Sequence, residues 1–246
     1  MPAPAVLSTL GRAALDLLFP SRCALCGRYG LALCETCAAS LPTADLPRCP
    51  RCWSPLIRGE GCRRCDESAS GGLALEGLRS AFVFREGARE LVHALKYSHY
   101  FVLASPMGEL MARYLVSAPL PADVLVPVPL HPRRQRVRGY NQSLLLAREV
   151  SRHLDLPLAA EALVRRRDTP PQARAAQAGA RLLNVASAFG SPPGAVAGRR
   201  VLLVDDVTTT GATLAPRVRG RAPSHQTARE LTAFWGTSRS PVGASP

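Results

Sequence analysis

The chain has 246 residues, 47% of them hydrophobic, with 31 Lys+Arg against 18 Asp+Glu and a formal net charge of +13. That length suits one α/β domain plus a small module, and no apolar run reaches the roughly 18 residues of a transmembrane helix, which speaks against membrane insertion. The charge favours anionic partners such as phosphates, nucleic acid or an acidic protein, but codon bias explains it equally well, since Ala, Arg and Pro abound and Lys96 is the only lysine.

Residues 1–20 lack a basic leader region, and Arg12 and Asp16 interrupt their apolar stretch. Leu7, Leu10, Ala14, Leu17 and Leu18 fall at helical spacing, which predicts an amphipathic helix packed on the body rather than a signal peptide. A chain without a secretion signal is expected in the cytoplasm, where thiols stay reduced.

Residues 21–67 form a cysteine module holding all eight cysteines, as Cys23/Cys26, Cys34/Cys37, Cys49/Cys52 and Cys62/Cys65. A Cys-x-x-Cys knuckle lets two thiolates reach one tetrahedral zinc at about 2.3 Å. Four knuckles supply two closed, structural sites. The sequential grouping 23/26/34/37 and 49/52/62/65 is favoured over an interleaved one, and four pairs in series argue against a redox motif. With two Zn2+ bound, each site contributes about −2 and the net charge falls to roughly +9. So few large apolar residues build no core, so metal must supply folding energy. Residues 68–77, opening Ser68-Ala69-Ser70-Gly71-Gly72, read as a linker.

The second domain spans residues 78–214. Residues 81–84 predict a strand, and 87–97 a helix with Ala88, Leu91, Val92 and Leu95 on one face. Residues 106–117 suit a helix with Pro106 in its first turn. Residues 123–129 predict a buried strand, followed by a basic loop over 131–140. Asn141 is an N-cap for a helix to about Leu154. Residues 165–181 are polar and basic, as in a long mobile loop. Residues 199–207 are apolar enough for a central parallel strand. Strands alternating with helices imply an open, mostly parallel α/β sheet.

That last strand delivers Asp205 and Asp206 to its carboxyl end, where open α/β sheets bind ligands. Adjacent carboxylates are costly to bury, so both should face solvent or a polar ligand, such as the two hydroxyls of a ribose. Thr208, Thr209, Thr210, Gly211, Ala212 and Thr213 then offer hydroxyls and backbone N–H groups for a 5′-phosphate nest. The GxxxxGK[ST] pattern of a P-loop is missing.

The segment VDDVTTTGAT (204–213) resembles the phosphoribosyl-pyrophosphate motif of type I phosphoribosyltransferases. Together with the cysteine module, LKY (95–97), VPVPLH (126–131), RGYNQ (138–142), Thr169/Gln172 and Arg181/Asn184, it resembles the ComF family over about residues 10–214. The resemblance implies a double zinc ribbon joined to a phosphoribosyltransferase-like domain. It implies that Asp205 and Asp206 hold ribose hydroxyls and that the Thr/Gly loop grips the 5′-phosphate. Mg2+ would ride mainly on the ligand's pyrophosphate and water. Residues 129–140 correspond to a pyrophosphate loop, with Arg138 and its neighbours Arg133, Arg134 and Arg136 as anion clamps, and residues 165–185 to a loop that closes over the site. Lys96, Gln172 and Arg181 are candidate ligand contacts, each equally readable as a surface or helix-end residue. His131 is the best candidate for a general base, with simple anion contact the commoner role.

The implied function is binding of phosphoribosyl pyrophosphate or a nucleotide, with phosphoribosyl transfer if the chain is active. The resemblance also implies a link to uptake of single-stranded DNA in competent bacteria through a partner helicase. The alternative is a non-catalytic ligand-binding or single-stranded-DNA-handling accessory protein. Aromatic scarcity, with Trp53 the one stacking candidate in the ribbon, weighs against the DNA role. The tail, residues 215–246, is atypical: Gly220 and Pro223 oppose a helix, and the stretch reads as aberrant, as from a change of reading frame near residue 215, with a divergent, disordered tail as the alternative, apart from some apolar patterning over 227–235.

Overall fold

The computed structural model describes residues 20–44, 47–57, 61–67, 77–166, 189–208 and 229–237. The expected N-terminal helix, the linker up to residue 76, and the closing loop with Gln172 and Arg181 lie outside them, as does the phosphate loop from Thr209 through Thr210, Gly211 and Ala212 to Thr213.

In the cysteine module two short helices occur, α1 (Glu35–Ala39) and α2 (Arg63–Glu67). The second domain runs β1 (Gly77–Val83), α3 (Glu86–Tyr97), a 3-10 turn (Phe101–Leu103), α4 (Ala104–Ser117), β2 (Val124–Pro127), α5 (Pro132–Arg138) and α6 (Gln142–Leu154). The short strands β3 (Val164–Arg165) and β4 (Phe189–Gly190) follow, then β5 (Arg200–Thr208) and β6 (Arg229–Thr237). The sheet order is β1-β6-β5-β2 with every neighbour parallel, while β3 and β4 form a separate antiparallel pair. This is the open parallel α/β architecture that the alternating pattern implies.

The core lies on both faces of this sheet because β5 is apolar on both. Leu202 and Val204 join a cluster with Leu91 and Leu95 of α3, Met107 and Met111 of α4, and Leu146 and Val150 of α6. Val201 and Leu203 join a second cluster with Trp53, Val124, Val126, Leu163 and Phe189. Ala88, Leu91, Val92 and Leu95 are the buried residues of α3, as the 3.6-residue period requires. Helices α4 and α6 cross closely at Gly108, where an added Cβ would meet the Glu149 Cβ at 2.3 Å.

Three expectations change. The basic stretch 131–140 is not a plain loop. It contains α5, with Pro132 in its first turn, His131 as N-cap and Gly139 closing it at φ 82°. Proline inside the start and glycine past the end are the ordinary helix boundary signals. Within the tail, residues 229–237 form β6, whose backbone bonds to β1 on one side and β5 on the other. The segment Leu231-Thr232-Ala233-Phe234-Trp235 is rich in residues with strand propensity, and a strand in that place satisfies the edges of both neighbours. The rest of 215–246 lies outside the described residues. Strand β1 also starts earlier than expected, at Gly77.

The cysteine module is welded to the domain. Thr43 pairs antiparallel with Phe82, and Ala44 N–H donates to Ala81 O at 2.9 Å while Val83 N–H donates to Pro42 O at 2.8 Å. This segment covers the outer edge of β1, which would otherwise present unpaired backbone groups.

Candidate functional site

The two cysteine tetrads assemble as the sequential grouping: Cys23, Cys26, Cys34 and Cys37 in one, Cys49, Cys52, Cys62 and Cys65 in the other, with all ligand atoms of each set within 4.8 Å of one another. Zinc bound tetrahedrally at about 2.3 Å sets sulfurs about 3.8 Å apart. Cys26 and Cys34 lie 3.8 Å apart, Cys49 and Cys65 3.7 Å, and Cys52 and Cys62 3.5 Å. The donor set therefore fits structural zinc, with four protein thiolates and no open position.

Local geometry builds each knuckle from backbone. Cys23 N–H donates to Arg28 O at 2.8 Å and Gly27 N–H to Cys23 O at 2.9 Å. The leading knuckle of the second site (the second knuckle, as that of Cys23 and Cys26 is the first) repeats this with Cys49 N–H to Ser54 O at 2.8 Å and Trp53 N–H to Cys49 O at 2.9 Å. Burial raises the Cys23 thiol, but backbone N–H groups of Cys26, Cys34 and Leu25 outweigh it and pull it down to about 6. Cys37 is pushed up to about 12, chiefly by its contact with Cys34. The four sulfurs thus do not all ionise unaided, and a metal must displace protons to bind.

At the carboxyl end of β5 lies a second constellation. Asp206 is buried and its Oδ2 sits 2.7 Å from Lys96 Nζ at the end of α3. At that separation Lys96 is the counter-charge of Oδ2. Burial works against the Lys96 ammonium, but Asp206, and then Asp205, outweigh it and hold the group above its usual range. Asp205 is half-buried. Its Oδ1 accepts from Ser143 Oγ at 2.8 Å and from Asp206 N–H at 2.9 Å.

The expectation that both acids face solvent or ligand fails for Asp206, which is buried, while Asp205 is half-buried. Asp206 turns inward because a lysine is there to neutralise it, which offsets part of the cost of burying a carboxylate. Ser143 is presented by the start of α6. The Asn141 side chain fixes that start, accepting from Ser143 N–H at 3.0 Å and donating to Val128 O at 3.1 Å. Arg138 donates to Gln142 Oε1 at 2.5 Å and lies over the Tyr97 ring, 5.5 Å from its centroid. The Tyr140 hydroxyl donates to Leu95 O and ties this corner to α3. His131 Nδ1 accepts from Arg133 N–H at 3.3 Å, which makes it a helix cap.

Lys96, Asp205, Asp206 and Arg138 are therefore brought to one end of the sheet. Thr208 ends β5, its backbone paired with Thr237. Ser143 was not singled out from the sequence, although it directly follows the RGYNQ motif at a helix start, where hydroxyls are favoured. Trp53 is no stacking platform: it is 2% exposed and its indole N–H donates to Ser80 O at 3.1 Å.

Residues 14–66 match the double zinc ribbon domain, and residues 141–219 the phosphoribosyl transferase domain. The chain is 34% identical over 212 residues to the DNA utilization protein YhgH of Escherichia coli (strain K12), covering 81% of this chain and 89% of that protein. It is 31% identical over 211 residues to Competence protein F of Haemophilus influenzae, covering 80% and 88%. With Competence protein ComFC of Bacillus subtilis it shares 27% identity over 186 residues, 74% of each chain. Among the described residues, no helix is long and apolar enough to cross a membrane.

Proposed function

Because this chain belongs to the ComF family, we propose that it binds a 5-phosphoribosyl ligand, phosphoribosyl pyrophosphate or a nucleotide, at the carboxyl end of β5, in the service of DNA utilization during competence. The observation that carries the reading is the Lys96–Asp206–Asp205–Ser143 constellation at a strand terminus where open α/β sheets seat ligands. Two bare carboxylates would repel a phosphorylated sugar. Lys96 cancels one of them, so the site keeps acceptors for hydroxyls at roughly half the negative charge.

Asp205, half-buried and oriented by Ser143, is the acid that meets the ribose hydroxyls. Asp206 serves as the counter-charge that holds Lys96 and, through its N–H, the Asp205 carboxylate. Arg138 stands at the rim as the cation for a pyrophosphate or phosphate oxygen. Magnesium, if carried in on the ligand, fits beside Asp205 and not at Asp206 Oδ2, which is committed to Lys96; it would screen the pyrophosphate charge. The residues 209–213 complete the cup as phosphate donors in this reading.

Calorimetric titration of the zinc-loaded full chain with phosphoribosyl pyrophosphate and Mg2+ tests this. Binding is expected, weakened about 10- to 100-fold in Asp205→Asn, as for loss of charge-assisted hydrogen bonds. Failure of the unaltered chain to bind overturns the reading. Release of pyrophosphate on adding an acceptor separates a transferase from a protein that binds without turnover.

A further inference from the structure

Although aromatic residues make up only 5% of the chain, Tyr97, Tyr100 and Phe101 fall within five positions of one another. Tyr97 is 67% exposed and Phe101 59%. Single exposed aromatics are ordinary. Tyr97 directly follows Lys96, the partner of Asp206. Lys96 and Tyr97 are consecutive in the last turn of α3, so their side chains leave the helix about 100° apart: Lys96 turns in to Asp206, and Tyr97 turns out.

The Tyr97 ring is held in place although it belongs to neither core cluster. The His93 ring, one turn earlier, meets it edge-on at 5.6 Å and 76°. The Arg138 guanidinium lies 5.5 Å from its centroid and is itself anchored on Gln142, next to the Ser143 that bonds Asp205. Behind it, the Phe101 and His99 rings both pack edge-on against Tyr140, at 6.4 and 6.2 Å. The result is an aromatic and cationic ledge, contiguous with the sugar-binding acids, that presents a fixed π surface to solvent. A ring of that kind beside a guanidinium is suited to a flat heteroaromatic group, by stacking and cation–π attraction together.

We propose that Tyr97, flanked by His93 and Arg138, is a stacking site for the nucleobase of a ligand whose ribose phosphate occupies the Asp205 site. This rests on the functional reading above and narrows it: the preferred ligand carries a base, as a nucleoside monophosphate does, and Tyr97 is the residue that senses it. The exposed position makes the ring dispensable for folding, which separates this role from a structural one.

The test compares two probes, adenosine 5′-monophosphate and ribose 5-phosphate, on the zinc-loaded full chain by calorimetry. The unaltered chain is expected to bind the nucleotide at least about 10-fold more tightly than the sugar phosphate, as one base stack provides. Tyr97→Ala is expected to erase that difference while leaving ribose 5-phosphate affinity within about 2-fold, and Tyr97→Phe to preserve it. Equal affinity of the unaltered chain for both probes overturns the stacking site alone, as does Tyr97→Ala binding the nucleotide normally. Loss of both probes in Tyr97→Ala shows a structural role and also overturns it. If the unaltered chain binds neither probe, the sugar-phosphate reading fails together with it.

Discussion

In the first knuckle the residue after the second cysteine is Gly27, at φ 73°; at the same place in the second it is Trp53, at φ 58°. Both make the same backbone hydrogen bond, N–H to the carbonyl of the first cysteine. Glycine takes this left-handed conformation freely, whereas a bulky residue loses about 1–2 kcal/mol by adopting it. The second knuckle sustains that strain because the indole is driven into the sheet. It bonds to Ser80 O, meets Tyr114 edge-on at 6.1 Å, and lies under the Arg79 guanidinium at 4.4 Å. Burial of a large aromatic, worth about 3–5 kcal/mol when truncated, exceeds the strain. The first knuckle, with Cys26 and Tyr29 exposed, leans on α3 through Leu25 and Leu41 and on Tyr100, whose hydroxyl bonds the Arg22 backbone. Two metal sites of one design thus join the domain on different clusters: the second is keyed by the single buried Trp53, and the first packs Cys23, Leu33 and Leu41 into the larger cluster around α3.

The sharpest way to break that contrast is at the ligands. Cys49→Ser is expected to destabilise the whole chain by several kcal/mol, because the anchored knuckle folds only around its metal. Cys23→Ser is expected to cost as much, because Cys23 lies in the cluster around α3, but to strip amide-exchange protection first from α3, whereas Cys49→Ser strips it first from β2 and its neighbours; the same pattern of loss in both variants would erase the distinction. Next in size is Trp53→Ala, expected to lower stability by about 3–5 kcal/mol, since alanine keeps the Cβ and with it the left-handed strain, read as a lower denaturation midpoint. The reverse exchange, Gly27→Trp, has no pocket to fill and should lose only the strain.

Arg79 donates to Pro50 O at 2.7 Å and to Ala118 O at 3.2 Å, so it joins the second knuckle to the end of α4. Arg79→Lys cannot keep this fork and its stacking together, and about 1–2 kcal/mol should be lost. Tyr100→Phe removes only hydroxyl bonds to the first knuckle, with an expected effect of about 1 kcal/mol or less. A control lies outside both knuckles. Asp123 is held down to about 2 by its hydrogen bonds to Arg200, first to the side chain and then to the backbone N–H. A folded value below the ordinary one means its contribution is complete above about pH 4 and disappears as pH falls through 2. Asp123→Asn should therefore shift melting at neutral pH and leave it nearly unchanged near pH 2, whatever the state of the zinc sites.

The cysteine spacing declared both metal sites, because thiolate pairs two residues apart have one common use. Asn141 and the apolar face of α3 were legible for equally local reasons, a cap and a period. What escaped was long-range. Trp53 reads as an exposed aromatic in a polar module, and only the approach of Ser80, 27 positions on, buries it. Lys96 reads as a helix-end cation, and only the crossing of α3 over the end of β5 pairs it with Asp206. Strand β6 was hard to see because its partners are remote in sequence. Helix α5 is the exception, bounded by the local signals Pro132 and Gly139, within a stretch whose four arginines read equally as a solvated basic loop.

The lone lysine has a practical corollary. Apart from the chain's own α-amine, a reagent that acylates primary amines has one target on this protein, and that target is already occupied by a carboxylate. Its reactivity is therefore a reporter with a single address: any molecule that settles over the end of β5 and alters the grip of Asp206 should change how fast that one amine is labelled, against a background of arginines that stay silent.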